Sequence, residues 1–137
     1  MCLFCKIINR DIPAKIVYED ANVLAFLDIS QTTKGHTLVV PKIHTSNFLE
    51  CPSDFRQHVS DASVKIAKHL IESLRANGMN ILTNINEAAG QSVMHYHVHL
   101  IPRYNENDGL TLAFKPNQNI DLDDLIEQIR FNEKPLD

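Results

Sequence analysis

The chain lacks the features that mark several classes of protein. Its 137 residues include only three cysteines, and no apolar run approaches the length of a bilayer-spanning helix. Lysine and arginine do not cluster, the formal net charge is −4, and no charged leader precedes an apolar core at the N-terminus. We therefore expect neither a membrane partner nor a groove for polymeric nucleic acid. The same absences favour a cytoplasmic protein whose thiols stay reduced.

The composition that remains is that of an ordinary globular domain. Hydrophobic residues make up 44% of the chain and charged residues 22%, with no internal repeat or low-complexity tract. A chain of this length builds one hydrophobic core. We interpret residues 1–137 as a single domain, in which the tail from about residue 110 follows no motif.

Strands are predicted for the first part of the chain. Lys15–Glu19, Val23–Asp28 and His36–Pro41 are short and rich in β-formers, and residues 19–22 fit a tight turn. Helical spacing then begins at Ser53, which can cap the helix, and Asn77-Gly78 offers a left-handed end. The apolar stripe of this long helix consists of Phe55, Val59, Ala62, Ile66, Leu70 and Leu74.

The second half is predicted to contain two more strands and a short helix. Met79–Asn84 forms a strand, residues 86–92 a polar loop, and a further strand runs from His95 to about Pro102. Leu122, Leu125, Ile126 and Ile129 indicate a short C-terminal helix, with Asp121 or Asp123 at its positive end. Strands joined by turns and interrupted by one helix favour an α+β fold with an antiparallel sheet.

The sequence His95-Tyr96-His97-Val98-His99-Leu100-Ile101 alternates three histidines with apolar residues. Successive side chains of a strand point to opposite faces, so the three imidazoles are predicted to share one face. Imidazole titrates near neutrality, which suits it to nucleophilic, proton-transfer or metal-binding chemistry.

Other motifs accompany this strand: Gly90-Gln91-Ser92-Val93, a stretch from Gly35 to His44 that contains Pro41-Lys42-Ile43-His44, and Cys2-Leu3-Phe4-Cys5. Together these motifs resemble the histidine triad (HIT) family, in particular its bacterial-type members with an N-terminal CxxC. The resemblance extends from Cys2 to about Arg103. It implies a HIT-like fold, a five-stranded antiparallel sheet with one long and one short helix, that extends its sheet by forming a homodimer.

The resemblance also implies an enzyme. Members bind a nucleotide and cleave at its α-phosphorus through a covalent nucleotidyl-histidine, with no catalytic metal required. His97 matches the nucleophile, His99 the donor to the phosphate oxygens, and His36 a histidine that reaches the site from a neighbouring strand. Ser92 falls where a hydroxyl lies near the leaving atom. The substrates expected are purine nucleoside phosphoramidates or dinucleoside polyphosphates.

The nucleotide-binding residues follow from the same matching. Asp28 matches the ribose-binding aspartate, although its carboxylate could instead cap the turn at Ser30-Gln31. Asn84 and Gln91 match polar positions near the phosphate. The apolar base slot is matched by Ile12, Phe26, Ile29 and Leu38, which composition alone would assign to the core.

Cys2 and Cys5 form a CxxC, and structural zinc needs four ligands, each a cysteine sulfur or a histidine nitrogen. In CxxC-bearing relatives the other two are histidines that correspond to His44 and His95. One zinc per subunit would then fasten an N-terminal strand to the sheet. Redox-active or plain surface cysteines are the alternatives.

Three other functions remain open. A nucleotidyl transferase of this family typically has glutamine at the third triad position, where this chain has His99. A nucleotide- and zinc-binding partner protein with vestigial catalysis is the second. The third is a catalytic metal cluster of His95, His97 and His99.

One departure from the family pattern is Asn86, where a glycine is common. Asparagine tolerates positive φ better than other non-glycine residues.

Overall fold

Five antiparallel strands form one sheet in the order β1-β2-β3-β5-β4, which confirms the predicted α+β fold. The structure, a computed structural model, describes residues 2–132. The strands are β1 (Ile16–Glu19), β2 (Val23–Leu27), β3 (Thr37–Pro41), β4 (Gly78–Leu82) and β5 (Val98–Arg103). The helices are α1 (Leu3–Ile8), α2 (Ser53–Leu74) and α3 (Leu122–Ile129), with a 3₁₀ turn at Glu87–Ala89.

The two faces of the sheet are covered by different helices. The apolar stripe of α2 packs on one face, against Val23, Ala25, Val39 and the residues Tyr96, Val98 and Leu100 that alternate with the histidines. On the other face, α1 contributes Phe4 and Ile7 to a cluster with Leu24, Phe26, Leu38 and Val40. Burial on both faces explains why β2 and β3 are continuous apolar runs rather than alternating ones.

The N-terminal segment differs from the prediction. We expected a strand to carry Cys2 and Cys5, but the residues from Leu3 to Ile8 form α1, with Cys2 at its N-cap. A helix of six residues is too short to show the 3.6-residue period that identifies α2. The sequence pattern therefore gave no sign of it.

The histidine strand begins later than predicted. β5 starts at Val98, where it pairs with Val39 of β3. Before that point the Tyr96 N–H donates to the Thr45 carbonyl, 2.7 Å away, in the loop that follows β3. The side chains still alternate, because Tyr96 lies in the cluster under α2 while His95 and His97 contact Phe4 on the opposite face.

The ends of the helices are partly as predicted. Ser53 is the first residue of α2 but makes no side-chain cap, and the helix ends at Arg75 in the left-handed region (φ 55°) rather than at Asn77-Gly78. Gly78 instead begins β4. Asp121 caps α3, where its carboxylate accepts the N–H groups of Asp123 and Asp124. Among residues 2–132, no helix has the length and apolar character needed to cross a bilayer.

Gly35 allows the chain to turn closely beneath the end of α2, just before β3. Its φ is +98°, and an added Cβ would overlap Leu74 Cδ1 and lie 3.1 Å from Pro102 Cγ. Within residues 2–132, no atom beyond the adjacent residues lies within 4 Å of the equivalent position at Gly78, and its φ is not positive. We therefore expect Gly35→Ala to lower the free energy of unfolding by about 1–3 kcal/mol. Gly78→Ala is the matched control and should leave it within about 0.5 kcal/mol in urea titrations; equal effects of the two changes would contradict this account.

Candidate functional site

The cavity that contains the predicted site lies on the sheet face covered by α1. Its volume is about 310 Å³, and Phe4, Ile12, Phe26, Ser92, His97 and His99 are among the residues that line it. The structure thus brings together side chains from α1, β2, β5 and the loop before the histidines. Polar groups converge at one end of a mostly apolar pocket, which is the usual form of a small-molecule site.

His97 is held in one tautomer by the backbone. Its Nδ1 lies 2.7 Å from the His95 carbonyl oxygen, so Nδ1–H donates and Nε2 keeps its lone pair. Burial lowers the pKa of His97, although the hydrogen bond to His95 opposes this effect. A neutral imidazole with a free Nε2 is therefore present in the cavity, and this form is the nucleophilic one.

His99 is assigned the opposite tautomer through His36. The Thr32 N–H donates to His36 Nδ1 at 3.3 Å, which leaves the proton of the neutral ring on Nε2. His36 Nε2 lies 2.9 Å from His99 Nδ1 and donates to it, so His99 carries its own proton on Nε2. Burial, assisted by neighbouring His97 and His36, lowers the pKa of His99 to about 4. The site thus presents one imidazole lone pair and one imidazole N–H.

Asp28 caps a turn and also borders the cavity. Its Oδ1 accepts the Ser30 N–H at 2.8 Å and caps the turn after β2. Its Oδ2 lies 3.6 Å from His36 Nε2, and the residue lines the cavity. One carboxylate oxygen therefore remains available for a ligand hydroxyl beside the histidines.

The apolar residues predicted to hold a base are not equally placed. Ile12, Phe26 and Leu38 line the cavity, and Phe26 and Leu38 are buried. Ile29 also borders it, but its side chain is 100% exposed. Ile29 therefore lies at the mouth of the pocket and does not form a packed wall.

The polar residues Ser92, Gln91 and Asn84 differ in their exposure and in their hydrogen-bond partners. Ser92 lines the cavity and is exposed, so its hydroxyl can reach a ligand. Gln91 is buried, and its amide binds backbone groups of Asn86, Ser46 and Val93. These contacts hold the loop in place through the Gln91 amide. Asn84 makes only a long 3.5 Å contact with the Gly90 carbonyl.

Asn86 adopts the backbone conformation that a glycine would be expected to provide. Its φ is 70° with ψ 165°, and its N–H donates to Gln91 Oε1 at 2.8 Å. The positive φ agrees with the tolerance expected of asparagine, although ψ places the residue outside the left-handed helical region.

A second cluster lies beside the cavity and consists of Cys2, Cys5, His44 and His95, whose donor atoms all lie within 4.8 Å of one another. The distances from Sγ to Nδ1 are 3.5 Å for Cys2–His95, 3.4 Å for Cys5–His44 and 3.6 Å for Cys5–His95. Tetrahedral zinc, with bonds of about 2.3 Å to sulfur and about 2.0 Å to nitrogen, places these atoms about 3.6 Å apart. The four residues can therefore hold one zinc ion.

The hydrogen bonding of His95 suits a metal ligand. Its Nε2 lies 3.1 Å from the Pro41 carbonyl and donates to it, so the Nδ1 lone pair faces the thiols. A metal-binding histidine characteristically donates its other ring N–H in this way. Because His95 Nδ1 faces the cysteines and His97 Nδ1 binds a carbonyl, the three triad histidines do not converge as a catalytic metal cluster would require.

Asp28, His36 and His99 form another compact group of donor atoms, within 4.8 Å of one another. Here the second nitrogen of His36 accepts the Thr32 N–H instead of donating. Metal at Nε2 would require a proton on Nδ1, where it would oppose that N–H. The group is therefore better described as a hydrogen-bond relay than as a metal site.

Phe4 is a site residue that sequence reasoning missed. Its ring packs edge-on against His97, with centroids 5.0 Å apart, and against His95 at 5.9 Å. The available signal was its place between the two cysteines of the CxxC. A residue between Cys2 and Cys5 must lie close to the cysteine cluster and therefore to the cavity beside it.

Known proteins resemble this chain over most of its length. The profile of the HIT domain matches residues 9–106. A HIT family protein from Bacillus subtilis has a crystal structure with a TM-score of 0.86 at 45% identity, covering 97% of this chain and 99% of that one. A Saccharomyces cerevisiae relative named adenosine 5′-monophosphoramidase is 40% identical, over 90% of this chain and 75% of its own.

A zinc-bound histidine triad family protein from Mycobacterium smegmatis has a TM-score of 0.75 at 40% identity, covering 85% of this chain and 84% of that one. The domain match, the shared fold and the three alternating histidines lead to the same assignment. The chain belongs to the HIT family.

Proposed function

We propose that the protein hydrolyses purine nucleoside phosphoramidates or dinucleoside polyphosphates at the α-phosphorus, through a covalent nucleotidyl-His97. The observation that carries the proposal is the 2.7 Å hydrogen bond from His97 Nδ1–H to the His95 carbonyl. It leaves the Nε2 lone pair of a buried, neutral ring in a cavity of nucleotide-binding size and character.

In the first step, His97 Nε2 attacks phosphorus and the bond to the leaving group breaks. The ring then carries a positive charge, and the His95 carbonyl stabilises it through Nδ1–H. The leaving group takes a proton, which Ser92 can relay from water; an amine leaving group needs little help. In the second step, water attacks phosphorus and releases a proton to the solvent, the N–P bond breaks with its electron pair returning to Nε2, and neutral His97 is restored with the nucleotide free.

His99 donates a hydrogen bond from Nε2–H to the phosphoryl oxygens. Its Nε2–H is available because Nδ1 accepts from His36. Donors that are already oriented stabilise the developing charge without reorganising in the transition state. His36 therefore acts by fixing the tautomer of His99, and it need not touch the substrate.

The nucleoside would occupy the remainder of the cavity. Asp28 Oδ2 can accept a ribose hydroxyl, and Ile12, Phe26 and Leu38 offer an apolar slot for the base. These walls contain few hydrogen-bonding groups, so adenine and guanine should both be accepted. The name of the yeast relative supports an adenosine phosphoramidate as the first substrate to test, beside diadenosine tetraphosphate.

The nucleophile can be identified by trapping the covalent intermediate. We expect brief incubation with adenosine phosphoramidate carrying ³²P at the α-position to label the protein. His97→Ala should abolish the label and lower kcat by at least about 10³-fold, because removing a nucleophile leaves only binding and electrostatic effects. His69→Ala changes an exposed histidine of α2 and serves as the control. Label retained by His97→Ala would refute the mechanism.

We also propose that Cys2, Cys5, His44 and His95 hold one structural zinc ion per subunit. The support is the tetrahedral spacing of the donor atoms and the bond from His95 to Pro41. The zinc-bound relative from Mycobacterium smegmatis is consistent with this assignment. Bound zinc would link α1 to the loop that precedes β5.

The zinc proposal predicts a defined loss on removing the thiols. The double change Cys2→Ser with Cys5→Ser should abolish stoichiometric zinc in elemental analysis and lower Tm by about 5–10 °C, which corresponds to roughly 2 kcal/mol for a chain of this size. Cys51→Ser, which alters a thiol outside the cluster, is the control and should retain the metal. Unchanged zinc in the double variant would contradict the assignment.

We further propose that the chain forms a homodimer in which β4 extends the sheet. β4 is an edge strand, and its Ile81 is 55% exposed on the face that carries α2. Unpaired backbone groups and an exposed apolar side chain at an edge favour pairing with another strand.

Light scattering should give the mass of two chains, and Ile81→Lys should shift the mass towards that of one chain. The mass of a single chain for the unaltered protein would exclude this dimer.

A further inference from the structure

Phe4 forms a wall behind the imidazole of His97. Its side chain is 4% exposed, and its ring stands at 86° to that of His97 with centroids 5.0 Å apart. Phe26 supports the Phe4 ring from another side, also edge-on, at 5.5 Å. The buried Phe4 ring therefore restricts rotation of the His97 ring on this side.

The position of Phe4 depends on α1, and α1 is short. Isolated helices of six residues are not stable in water, so tertiary contacts must hold this one. Its buried residues are Phe4 and Ile7. Cys2 at the N-cap and Cys5 in the first turn supply a further attachment, through His95 and His44.

Two physical links therefore connect the cysteine cluster with His97. One passes through His95, whose ring faces the thiols and whose carbonyl accepts the His97 proton. The other passes through α1, because Phe4 lies between Cys2 and Cys5 in sequence and against His97 in space. Both links act on the orientation of one ring.

We propose that Phe4 is a positioning residue for His97, and that the clasp formed by Cys2, Cys5, His44 and His95 keeps Phe4 against the imidazole. This inference rests on the proposed function, since it takes His97 as the nucleophile and the clasp as a zinc site. Rotation of the His97 ring would break its bond to the His95 carbonyl and turn Nε2 away from phosphorus. A displacement of about 1 Å at a reacting atom can cost about 10²-fold in rate.

The first test compares Phe4→Ala and Phe4→Leu with Phe55→Leu. Phe55 makes a similar edge-on contact with His58, at 5.9 Å and 80°, on α2. We expect Phe4→Ala to lower kcat by about 10–100-fold and to raise KM by a smaller factor, because orientation affects the attack more than binding. Phe4→Leu, which restores much of the side-chain volume, should recover part of kcat. Phe55→Leu should leave kcat within about twofold of that of the unaltered protein.

A second readout does not depend on activity. Long-range ¹H–¹⁵N NMR spectra of the ligand-free protein at pH 8 distinguish the two neutral tautomers of each histidine. The unaltered protein should show His97 as a single species protonated on Nδ1. Phe4→Ala, and separately the Cys2→Ser/Cys5→Ser variant, should show both tautomers, whereas Cys51→Ser should match the unaltered protein.

The outcomes separate this inference from the proposed function. A single Nδ1–H tautomer and an unchanged kcat in Phe4→Ala would overturn the positioning role, even if His97→Ala loses the covalent label. Two tautomers in Phe4→Ala but one in the double cysteine variant would overturn the role of the clasp. Label retained by His97→Ala would instead refute the proposed nucleophile, whatever the spectra show.

Discussion

The arrangement of the site depends on His95, a fully buried residue that uses all three of its side-chain and carbonyl polar groups. Its Nε2–H donates to the Pro41 carbonyl, its Nδ1 faces Cys2 and Cys5, and its own carbonyl accepts from His97. A buried imidazole nitrogen without a hydrogen-bond partner would destabilise the fold, so these contacts together fix the orientation of the His95 ring. The cysteine cluster and the contacts of His97 consequently share one residue, His95.

Backbone groups determine what each histidine can do. The His95 carbonyl makes His97 a lone-pair donor at Nε2, while the Thr32 N–H acts through His36 to make His99 an N–H donor. Burial lowers the pKa of His97 and His99, so both rings stay neutral near pH 7. One residue type therefore supplies both an imidazole lone pair and an imidazole N–H, with neither ring charged.

Features with a local period could be predicted from the sequence, and features set by distant contacts could not. The two-residue alternation placed His97 and His99 on one face, and the 3.6-residue stripe located α2. In contrast, α1 is too short to show a period, so Phe4 was missed. The tautomers of His95 and His99 depend on Pro41 and His36, which lie 54 and 63 residues away in sequence, and no spacing rule identifies such partners.

The size of α1 explains why the pocket lies where it does. A sheet with two apolar faces needs cover on both, and α2, with 22 residues, covers one of them. The six residues of α1 cover only part of the other face, where Phe4 and Ile7 pack with Leu24, Phe26, Leu38 and Val40. The cavity lies beside this cluster, and Phe26 and Leu38 also line it. A short helix fastened by two cysteines thus shields the histidines from water while leaving space beside them for a ligand.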